Sequence, residues 1–388
     1  MNDRVLKLQK MMASDKVEAA LYAASGNMQY FLGDGSYFWN RTTDTGGGKS
    51  AEDWHMDGHF LNKPDCVLYI PADGEPTLFL TYDKCEAMRN LSVKKVPCYF
   101  PMMKDVLKPA LKGKKRVACG ESCNKALKHL VQETDNEIEV TNAEQYGEIL
   151  RLIKEPGEIE KMRRAAEFTD HAMGVIAKAL KPGITPREVR ELIAAIALKN
   201  GLQGVSFCPA AIFVSQDAPG SDEIFGHPDD GALTEGTSIG FDFGYVVEGY
   251  SSDYGRSFYC GRNEKVKDAY KALNEAQLYL LSEIKPGKTL DMCFSTLYKK
   301  LDSIGGFGKY LRKAGDCEIM GHQIGIDVHE RPWLRSDEKA VFRPGMIMCV
   351  EPKIWWPGKC YLRVEDMVLV TENGCESLTK FDRDFFEL

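Results

Sequence analysis

The sequence predicts a mixed α/β (α+β) fold in two domains, residues 1–150 and 151–388. Length is the first reason, because a chain of 388 residues exceeds the usual size of about 100–200 residues for one domain. The second is the alternation of helical patterns with short apolar runs before residue 150. The third is a helix pair followed by strands, which occurs twice after residue 150.

The N-terminal domain opens with a helical pattern near Asp3–Lys16 and a strand at Glu18–Tyr22. The polar, glycine-containing stretch from Gly33 to Pro64 predicts a loop, and a loop of that length in a compact domain is usually functional or flexible. Apolar runs between turn-forming residues predict further strands at Cys66–Ile70, Thr77–Thr81, Val93–Tyr99 and Arg116–Cys119.

The C-terminal domain contains an internal repeat. A long helical pattern at Glu158–Leu180 stops at Lys-Pro-Gly, and Thr185 then opens a second helix that ends near Asn200. A helix from Glu264 stops at a second Lys-Pro-Gly, and Thr289 is predicted to open a helix that ends near Gly305. The prolines of the two motifs, Pro182 and Pro286, lie 104 residues apart. We therefore predict a duplicated unit of two helices followed by a sheet.

Composition narrows the class of protein. A net charge of −7 and an isoelectric point of about 5.7 argue against nucleic acid or an anionic membrane as a partner. No apolar run approaches the roughly 20 residues that a membrane span requires. The 12 cysteines include no Cys-x-x-Cys pair, which favours free thiols in a reducing compartment. We expect a cytoplasmic protein.

Each repeat ends in a sequence that predicts a hairpin with two facing acids. A turn at Val247-Glu248 would place Asp242 opposite Asp253. A turn around Gly358 would place Glu351 opposite Glu365, with Arg363 on the same face. The first of these turns also sets Gly244 opposite Ser251 and Phe243 opposite Ser252.

Facing carboxylates repel unless a positive charge lies between them. Duplication predicts that the two pairs meet at one site, and a histidine is available in the segment from Gly321 to Pro332. Four carboxylates with one histidine form a hard, oxygen-rich set that suits two divalent ions such as Mn²⁺.

These motifs resemble those of the pita-bread metallopeptidase family, which includes Xaa-Pro dipeptidase (prolidase), aminopeptidase P, methionine aminopeptidase and creatinase. The resemblance rests on Asp-x10-Asp, Gly-His…Gly…Val-His-Glu, a later Glu-Pro and a final Arg-x-Glu-Asp, in that order. It implies a pita-bread catalytic domain at 151–388 with internal pseudo-twofold symmetry. Asn27-Met-Gln-Tyr-Phe-Leu-Gly resembles the creatinase-type N-terminal domain of the prolidase branch, which implies such a domain at 1–150.

The resemblance also implies a set of roles. The metal ligands would be Asp242, Asp253, His322, Glu351 and Glu365, with Asp253 and Glu365 bridging two ions. Mn would be the first choice of metal, with Co, Zn or Fe as alternatives. The catalytic residues would be Glu351 as general base and His329 as a contact to the substrate and the tetrahedral intermediate. His227 would help to hold the substrate or donate a proton, and Arg363 would be an orienting partner.

The implied activity is hydrolysis of the imide bond of a short Xaa-Pro peptide or dipeptide by a water activated between two metals. Members of this branch are commonly homodimers. Glu318 stands where many prolyl peptidases have a further histidine, and Gln323 where a glycine is common, so a creatinase-like hydrolase or lyase of a small zwitterion is the alternative. A non-catalytic binding module would have lost ligands, and all five are retained.

Overall fold

The computed structural model of the protein describes residues 2–33, 35, 66–82, 88–99, 102–120, 126–215, 231–313, 318–384 and 386–388. The chain divides into two compact units, Met1–Arg151 and Leu152–Leu388. This division lies one residue beyond the expected boundary at residue 150. Each unit contains its own clusters of buried apolar side chains.

The first unit is built on a mixed six-stranded sheet. Its strands are β1 (Ala19–Ala23), β2 (Cys66–Pro71), β3 (Thr77–Thr81), β4 (Lys94–Cys98), β5 (Arg116–Cys119) and β6 (Glu139–Asn142). Their order is β4-β3-β2-β1-β5-β6. The pairs β1–β5, β5–β6 and β3–β4 are parallel, and the other two are antiparallel. Its helices are α1 (Asp3–Ser14), α2 (Gly26–Leu32), α3 (Met103–Leu111), α4 (Ala126–Thr134) and α5 (Glu144–Arg151).

The predicted elements of this unit are present, and their ends differ from the prediction by at most two residues. Helix α1, for example, starts after Asn2, whose side-chain oxygen accepts a hydrogen bond from the Val5 amide at 2.9 Å. Such a cap satisfies a backbone donor that the helix itself cannot pair. Most of the predicted Gly33–Pro64 loop lies outside the described residues.

Two helix pairs open the two halves of the second unit. They are α6 (Pro156–Ala179) with α7 (Pro186–Lys199), and α8 (Glu264–Glu283) with α9 (Met292–Gly305). The prediction that Thr185 opens α7 is confirmed. The residue forms a capping box, in which the Thr185 hydroxyl accepts from the Glu188 amide and the Glu188 carboxylate accepts from the Thr185 amide. None of the helices that the structure describes is both long and apolar enough to cross a bilayer.

The prediction that Thr289 opens α9 is wrong. The helix starts at Met292, with Asp291 in the cap position. Thr289 instead forms a β-bridge with Val341, and the Leu290 amide donates to the carbonyl of Ala340 at 2.9 Å. Pairing with a distant segment therefore holds Thr289 outside the helix.

The sheets of the second unit repeat one arrangement. Its strands are β7 (Gly204–Val205), β8 (Ala210–Ser215), β9 (Thr237–Asp242), β10 (Tyr245–Val247), β11 (Tyr250–Ser251), β12 (Ser257–Cys260), β13 (Ile319–Gln323), β14 (Glu330–Arg335), β15 (Ile347–Val350), β16 (Lys353–Trp356), β17 (Cys360–Arg363), β18 (Asp366–Val370), β19 (Cys375–Ser377) and β20 (Phe386–Glu387). In the first half β8, β9 and β12 are adjacent and antiparallel, and in the second half β13, β15 and β18 are.

The two halves also place their hairpins alike. The pair β10–β11 lies between β9 and β12, and the pair β16–β17 lies between β15 and β18. The predicted duplication is confirmed by this repeated order. Its consequence is that each half of the unit contributes two acids at the base of its hairpin.

Candidate metal centre

The first hairpin, residues 237–260, turns at Glu248-Gly249. Both residues have positive φ angles, 50° and 80°. Two successive residues of this kind form a type I′ turn, whose twist matches that of the flanking strands. The predicted turn at Val247-Glu248 is wrong, because a β-branched valine is strongly disfavoured at positive φ, whereas Gly249 adopts it freely.

The register of this hairpin consequently differs from the prediction by two residues. Val246 lies opposite Ser251, and Phe243 lies opposite Tyr254. The aromatic side chains on this face, among them Phe243 and Tyr254, are buried in a hydrophobic core. The predicted pairs Asp242–Asp253, Gly244–Ser251 and Phe243–Ser252 are therefore all incorrect.

The two aspartates nevertheless share a face. Strand side chains alternate with a period of two, so a shift of two residues changes the partner and leaves the face unchanged. Asp253 is diagonal to Asp242, not directly opposite it. Both remain on the side of the hairpin away from the aromatic core.

The second hairpin, residues 347–370, has the predicted register. Lys353 pairs with Arg363 in its upper part, and Val350 pairs with Asp366 at its base. Glu351 and Glu365 occupy the facing positions between these two pairs. The hairpins meet through a β-bridge between Gly255 and Glu365, which brings the two acid pairs together.

The histidine lies on β13, next to β15 of the second hairpin. The Nε2 atom of His322 is 3.4 Å from Asp253 Oδ2 and 3.8 Å from Glu351 Oε1. Its Nδ1 atom is 3.1 Å from the carbonyl oxygen of Gln323, which orients the ring with Nε2 toward the acids. The structure thus brings together residues from both hairpins around one imidazole.

Three carboxylate oxygens at this position are buried without a hydrogen-bond partner among the described residues. They are Asp242 Oδ1, Asp253 Oδ1 and Glu365 Oε1. A buried ionised oxygen without a partner is costly, and coordination of a cation is a common way to remove that cost. Oxygen donors with one imidazole fit divalent ions, so the residues suit the predicted metal.

Arg363 contacts three of the four acids. Its Nη2 donates to Glu351 Oε2 at 2.8 Å, its Nε donates to Glu365 Oε2 at 2.9 Å, and its Nη1 donates to Asp242. Burial acts to lower the pKa of Arg363, but these carboxylates outweigh it and raise that pKa well above its usual value. Arg363 is therefore a permanent cation that fixes the orientation of the acids.

The acids differ in the direction of their pKa shifts. Burial raises the pKa of Asp253, and the charge on Asp242 adds to the increase. Burial also raises the pKa of Glu365, against the opposing effect of Arg363. For Glu351 burial acts upward as well, but Lys353, Arg363 and His322 hold its pKa below the usual range. Glu351 is the acid most firmly held in its ionised form.

Two residues at the site were not predicted from the sequence. Lys353 donates a hydrogen bond to Glu351 Oε2, so this carboxylate oxygen is shared by two cations. Cys349 lies opposite His322 in the register of β15 and β13. Its Sγ atom belongs to a set of buried ligand atoms, from Asp253, His322, Cys349 and Glu365, that all lie within 4.8 Å of one another.

The remaining residues singled out in the sequence are His329, His227, Glu318 and Gln323. His329 is exposed, and its ring packs against His322 and stacks on Trp333 with centroids 4.4 Å and 5.2 Å away. His227 lies outside the described residues. Glu318, one of the departures from the family pattern, pairs with Lys313 at 2.6 Å. Gln323, the other departure, is buried, and its Nε2 donates to Glu330 at 3.3 Å.

Comparison with known proteins places this site in a family. An Xaa-Pro dipeptidase of Pyrococcus furiosus is 27% identical over an alignment 392 residues long, which covers 99% of each chain. Two solved structures share the fold along almost the whole length. An Xaa-Pro dipeptidase from Bacillus anthracis has a TM-score of 0.81 and 22% sequence identity, and the match covers 100% of this chain and 99% of that one. The prolidase from Pyrococcus horikoshii has a TM-score of 0.80 and 23% sequence identity, and the match covers 98% of this chain and 99% of that one.

The sequence pattern of metallopeptidase family M24 matches residues 160–372, which is more than half of the chain. This range includes every predicted metal ligand and both hairpins. The family implies divalent metal ions, which agrees with the buried donor atoms found here. The chain therefore belongs to metallopeptidase family M24.

Proposed function

We propose that the protein is a dinuclear metal-dependent Xaa-Pro peptidase that hydrolyses the imide bond of dipeptides or other short peptides. The observation that carries the proposal is the convergence of four carboxylates from two hairpins around His322 and Arg363, where three carboxylate oxygens have no hydrogen-bond partner among the described residues. The names of the full-length relatives, Xaa-Pro dipeptidase and prolidase, support this substrate over a small zwitterion.

The ions would be held by the five predicted ligands, Asp242, Asp253, His322, Glu351 and Glu365. Oxygen donors predominate in this set, which favours Mn²⁺, with Co, Zn or Fe as alternatives. When bound, two divalent cations polarise the scissile carbonyl and lower the pKa of water at the site. On the family resemblance Asp253 and Glu365 would serve both ions, and both have donor atoms in one compact buried group with His322.

Glu351 would accept the proton of the attacking water. Its Oε2 atom is held by Lys353 and Arg363, so Oε1, on the side of His322, is the oxygen that can receive a proton. The lowered pKa keeps Glu351 ionised at neutral pH, which a proton acceptor requires. Arg363 would act as a positioning residue, since its contacts are with the carboxylates.

The histidines would serve the substrate. His329 is exposed beside His322, where an imidazole can donate to a developing oxyanion or protonate the leaving nitrogen. We assign His227 a similar supporting role on the family resemblance alone. We further propose a cytoplasmic homodimer, with residues 1–150 as the creatinase-type domain. Light scattering of the purified protein tests the dimer.

The activity is tested with a dipeptide library at increasing Mn²⁺ concentration. We expect turnover of Xaa-Pro dipeptides that requires metal and is lost on chelation. Matched dipeptides with alanine in place of proline serve as the control for specificity. Absence of turnover on every Xaa-Pro dipeptide and tripeptide, by protein that binds two ions per chain, would disprove the substrate assignment.

A further inference from the structure

Lys154 and Glu330 form an ion pair in the interior of the second unit. The Nζ atom of Lys154 lies 2.9 Å from Oε2 of Glu330, and the two side chains are 2% and 6% exposed. The main chain of Lys154 is also fixed, because its amide donates to the carbonyl of Gly345 at 2.9 Å. Lysine is almost never fully buried unless its charge has a partner, so Glu330 is what allows this lysine to lie in the interior.

The ion pair lies next to both histidines of the site along the chain. Glu330 is the first residue of β14 and directly follows His329, to which we assign a contact with substrate. In the register of β13 and β14 it lies opposite Gln323, which directly follows His322. Residues 324–329, between these two strands, form a segment that we call the His329 loop.

The carboxylate of Glu330 binds the His329 loop directly. The amide of Asp327, inside the loop, donates to Oε1 at 3.3 Å, and the side chain of Gln323 donates to Oε2 at 3.3 Å. A Cβ atom added to Gly325 would lie 2.5 Å from Oε1, so the carboxylate also packs against the main chain of the loop. One buried carboxylate thus joins the two ends of the loop to its middle.

His329 depends on this main chain for its position. The amide and the hydroxyl of Ser251 donate to the carbonyls of Gly325 at 2.8 Å and Ile326 at 3.0 Å, which holds the first part of the loop. Glu330 holds the second part. The side chain of His329 is exposed, so a shift of the loop between these two anchors would move its ring.

We propose that Lys154 is a positioning residue of the peptidase reaction, because it holds the carboxylate of Glu330 and thereby places His329 for contact with substrate. The inference rests on the proposed function, which gives His329 its role. Without the lysine, an uncompensated carboxylate would remain in the interior; it would turn toward water and release the Asp327 amide. Neither member of the ion pair is one of the five predicted metal ligands, so metal binding should persist.

The first test needs no activity and uses the metal-free, full-length protein with ¹³C-labelled histidine rings. The ring of His329 stacks on Trp333 at an interplanar angle of 21°, so the indole ring current displaces its NMR signal. His329→Gln identifies that signal by its loss. In Lys154→Met we expect the signal to move toward that of a histidine in solution, while the signal of His171, on α6, remains. An unchanged His329 signal overturns the proposal.

The second test is kinetic and uses the metal-loaded protein with an Xaa-Pro dipeptide. Lys154→Met should lower kcat about 10- to 100-fold and leave KM and the metal content unchanged, because it misplaces a group that acts in the transition state. Arg163→Met removes an ion pair with Glu376 elsewhere in the same unit and is the control, with kcat unchanged.

A double substitution separates positioning from a general loss of stability. In protein that already carries His329→Gln, Lys154→Met should have no further effect on kcat, since the group that it misplaces is absent. Equal losses with and without His329 would show that the lysine only stabilises the fold, and would overturn the proposal.

Gly325→Ala tests the same contact with both charges present, and it applies even if Lys154→Met fails to fold. The added Cβ atom forces the carboxylate of Glu330, the flexible end of its side chain, away from the loop. We expect a displaced His329 signal and a lower kcat. Wild-type values of both would contradict the proposal.

The outcomes distinguish this inference from the proposed function. If the wild-type protein cleaves no Xaa-Pro peptide, the proposed function fails, and the His329 signal still tests whether Lys154 positions the ring. If the wild-type protein cleaves these peptides, and Lys154→Met keeps both the signal and kcat, only the role of Lys154 is refuted.

Discussion

The two hairpins of the second unit contribute two carboxylates each, but they differ in the charges that accompany them. In the second hairpin, Lys353 and Arg363 lie beside Glu351 and bond to one of its oxygens. Within the part of the chain that the structure describes, the first hairpin carries no cation next to Asp253. The cation that contacts Asp242 is Arg363 of the other hairpin.

The accompanying charges give two buried acids, Glu351 and Asp253, opposite pKa shifts. Glu351, with two cations, has a lowered pKa, whereas Asp253, buried near Asp242, has a raised one. An acid of the first kind is stable as an anion without further help. An acid of the second kind needs a proton or a metal ion, so we expect Asp253 to depend on metal more strongly than Glu351.

The strongest test of this expectation is Asp253→Asn. The substitution keeps the size of the side chain and removes the anion that faces His322. Even outer-shell contacts of metal sites are worth about 10- to 100-fold, so loss of this ligand should reduce both metal affinity and activity by more than about 100-fold. Metal content after dialysis and the turnover of an Xaa-Pro dipeptide measure the effect. Turnover near the wild-type level would exclude Asp253 as a ligand.

Arg363→Met tests the cation that both hairpins share. Removing one partner of a buried ion pair leaves uncompensated charge, which typically costs about 3–5 kcal/mol. We expect a loss of this order in the free energy of unfolding of the metal-free protein, measured with urea. Arg363→Lys retains the charge and should lose less. Bound Mn²⁺ should restore part of the loss, because it neutralises the same acids.

An equal loss of stability with and without Mn²⁺ would contradict this explanation. It would mean that Arg363 stabilises the hairpins by packing, as long arginine stems can do.

The hairpins also differ in how far the sequence predicts them. Pro357-Gly358-Lys359 marks a turn plainly, and the second register is correct. Val-Val-Glu-Gly contains one glycine, and nothing local shows that Glu248 adopts a positive φ. The error of two residues was harmless to the site because it preserved the face of the strand.

The duplication predicts that the two hairpins meet, but other contacts between distant segments were beyond prediction. Cys349 lies in the apolar run Ile-Met-Cys-Val, where a buried thiol is indistinguishable from a small hydrophobic side chain. Its proximity to Asp253 arises only from the meeting of the two hairpins. Thr289 is a similar case, since Val341 and not the local sequence determines where α9 begins.

Metal affinity should depend on pH through the acids whose pKa is raised. Burial raises the pKa of Asp253 and Glu365, so the folded chain keeps these protons above the ordinary carboxyl range. Their protonated forms stabilise the fold at low pH, and this contribution is lost as the pH rises through the raised pKa. A divalent ion competes with the same protons, and its affinity should therefore increase with pH.

We expect about a tenfold gain in Mn²⁺ affinity per pH unit for each proton displaced, at pH values above the ordinary carboxyl range and below the raised pKa of these acids. Calorimetric titration measures it. Asp170→Asn is the matched control: burial raises the pKa of Asp170 to about 6, and its carboxylate accepts bonds from the Lys380 and Phe381 amides, so the slope should be unchanged. A pH-independent affinity would show that the two ligand acids are ionised before metal binds.

The smallest effect is expected for Lys353→Met, and its sign distinguishes the hairpins most sharply. Lys353 donates to the oxygen of Glu351 that Arg363 already contacts, so its charge opposes a metal ion at the same acid. Methionine keeps much of the volume and removes the charge, which should raise Mn²⁺ affinity about three- to tenfold, or about 1 kcal/mol. Lys359→Met, at an exposed position in the turn of the same hairpin, is the control and should have no effect. Weaker binding by Lys353→Met would instead mean that the lysine holds Glu351 in the geometry that metal requires. In that case Lys353 and Arg363 would position Glu351 for metal binding and would not compete with the metal ion.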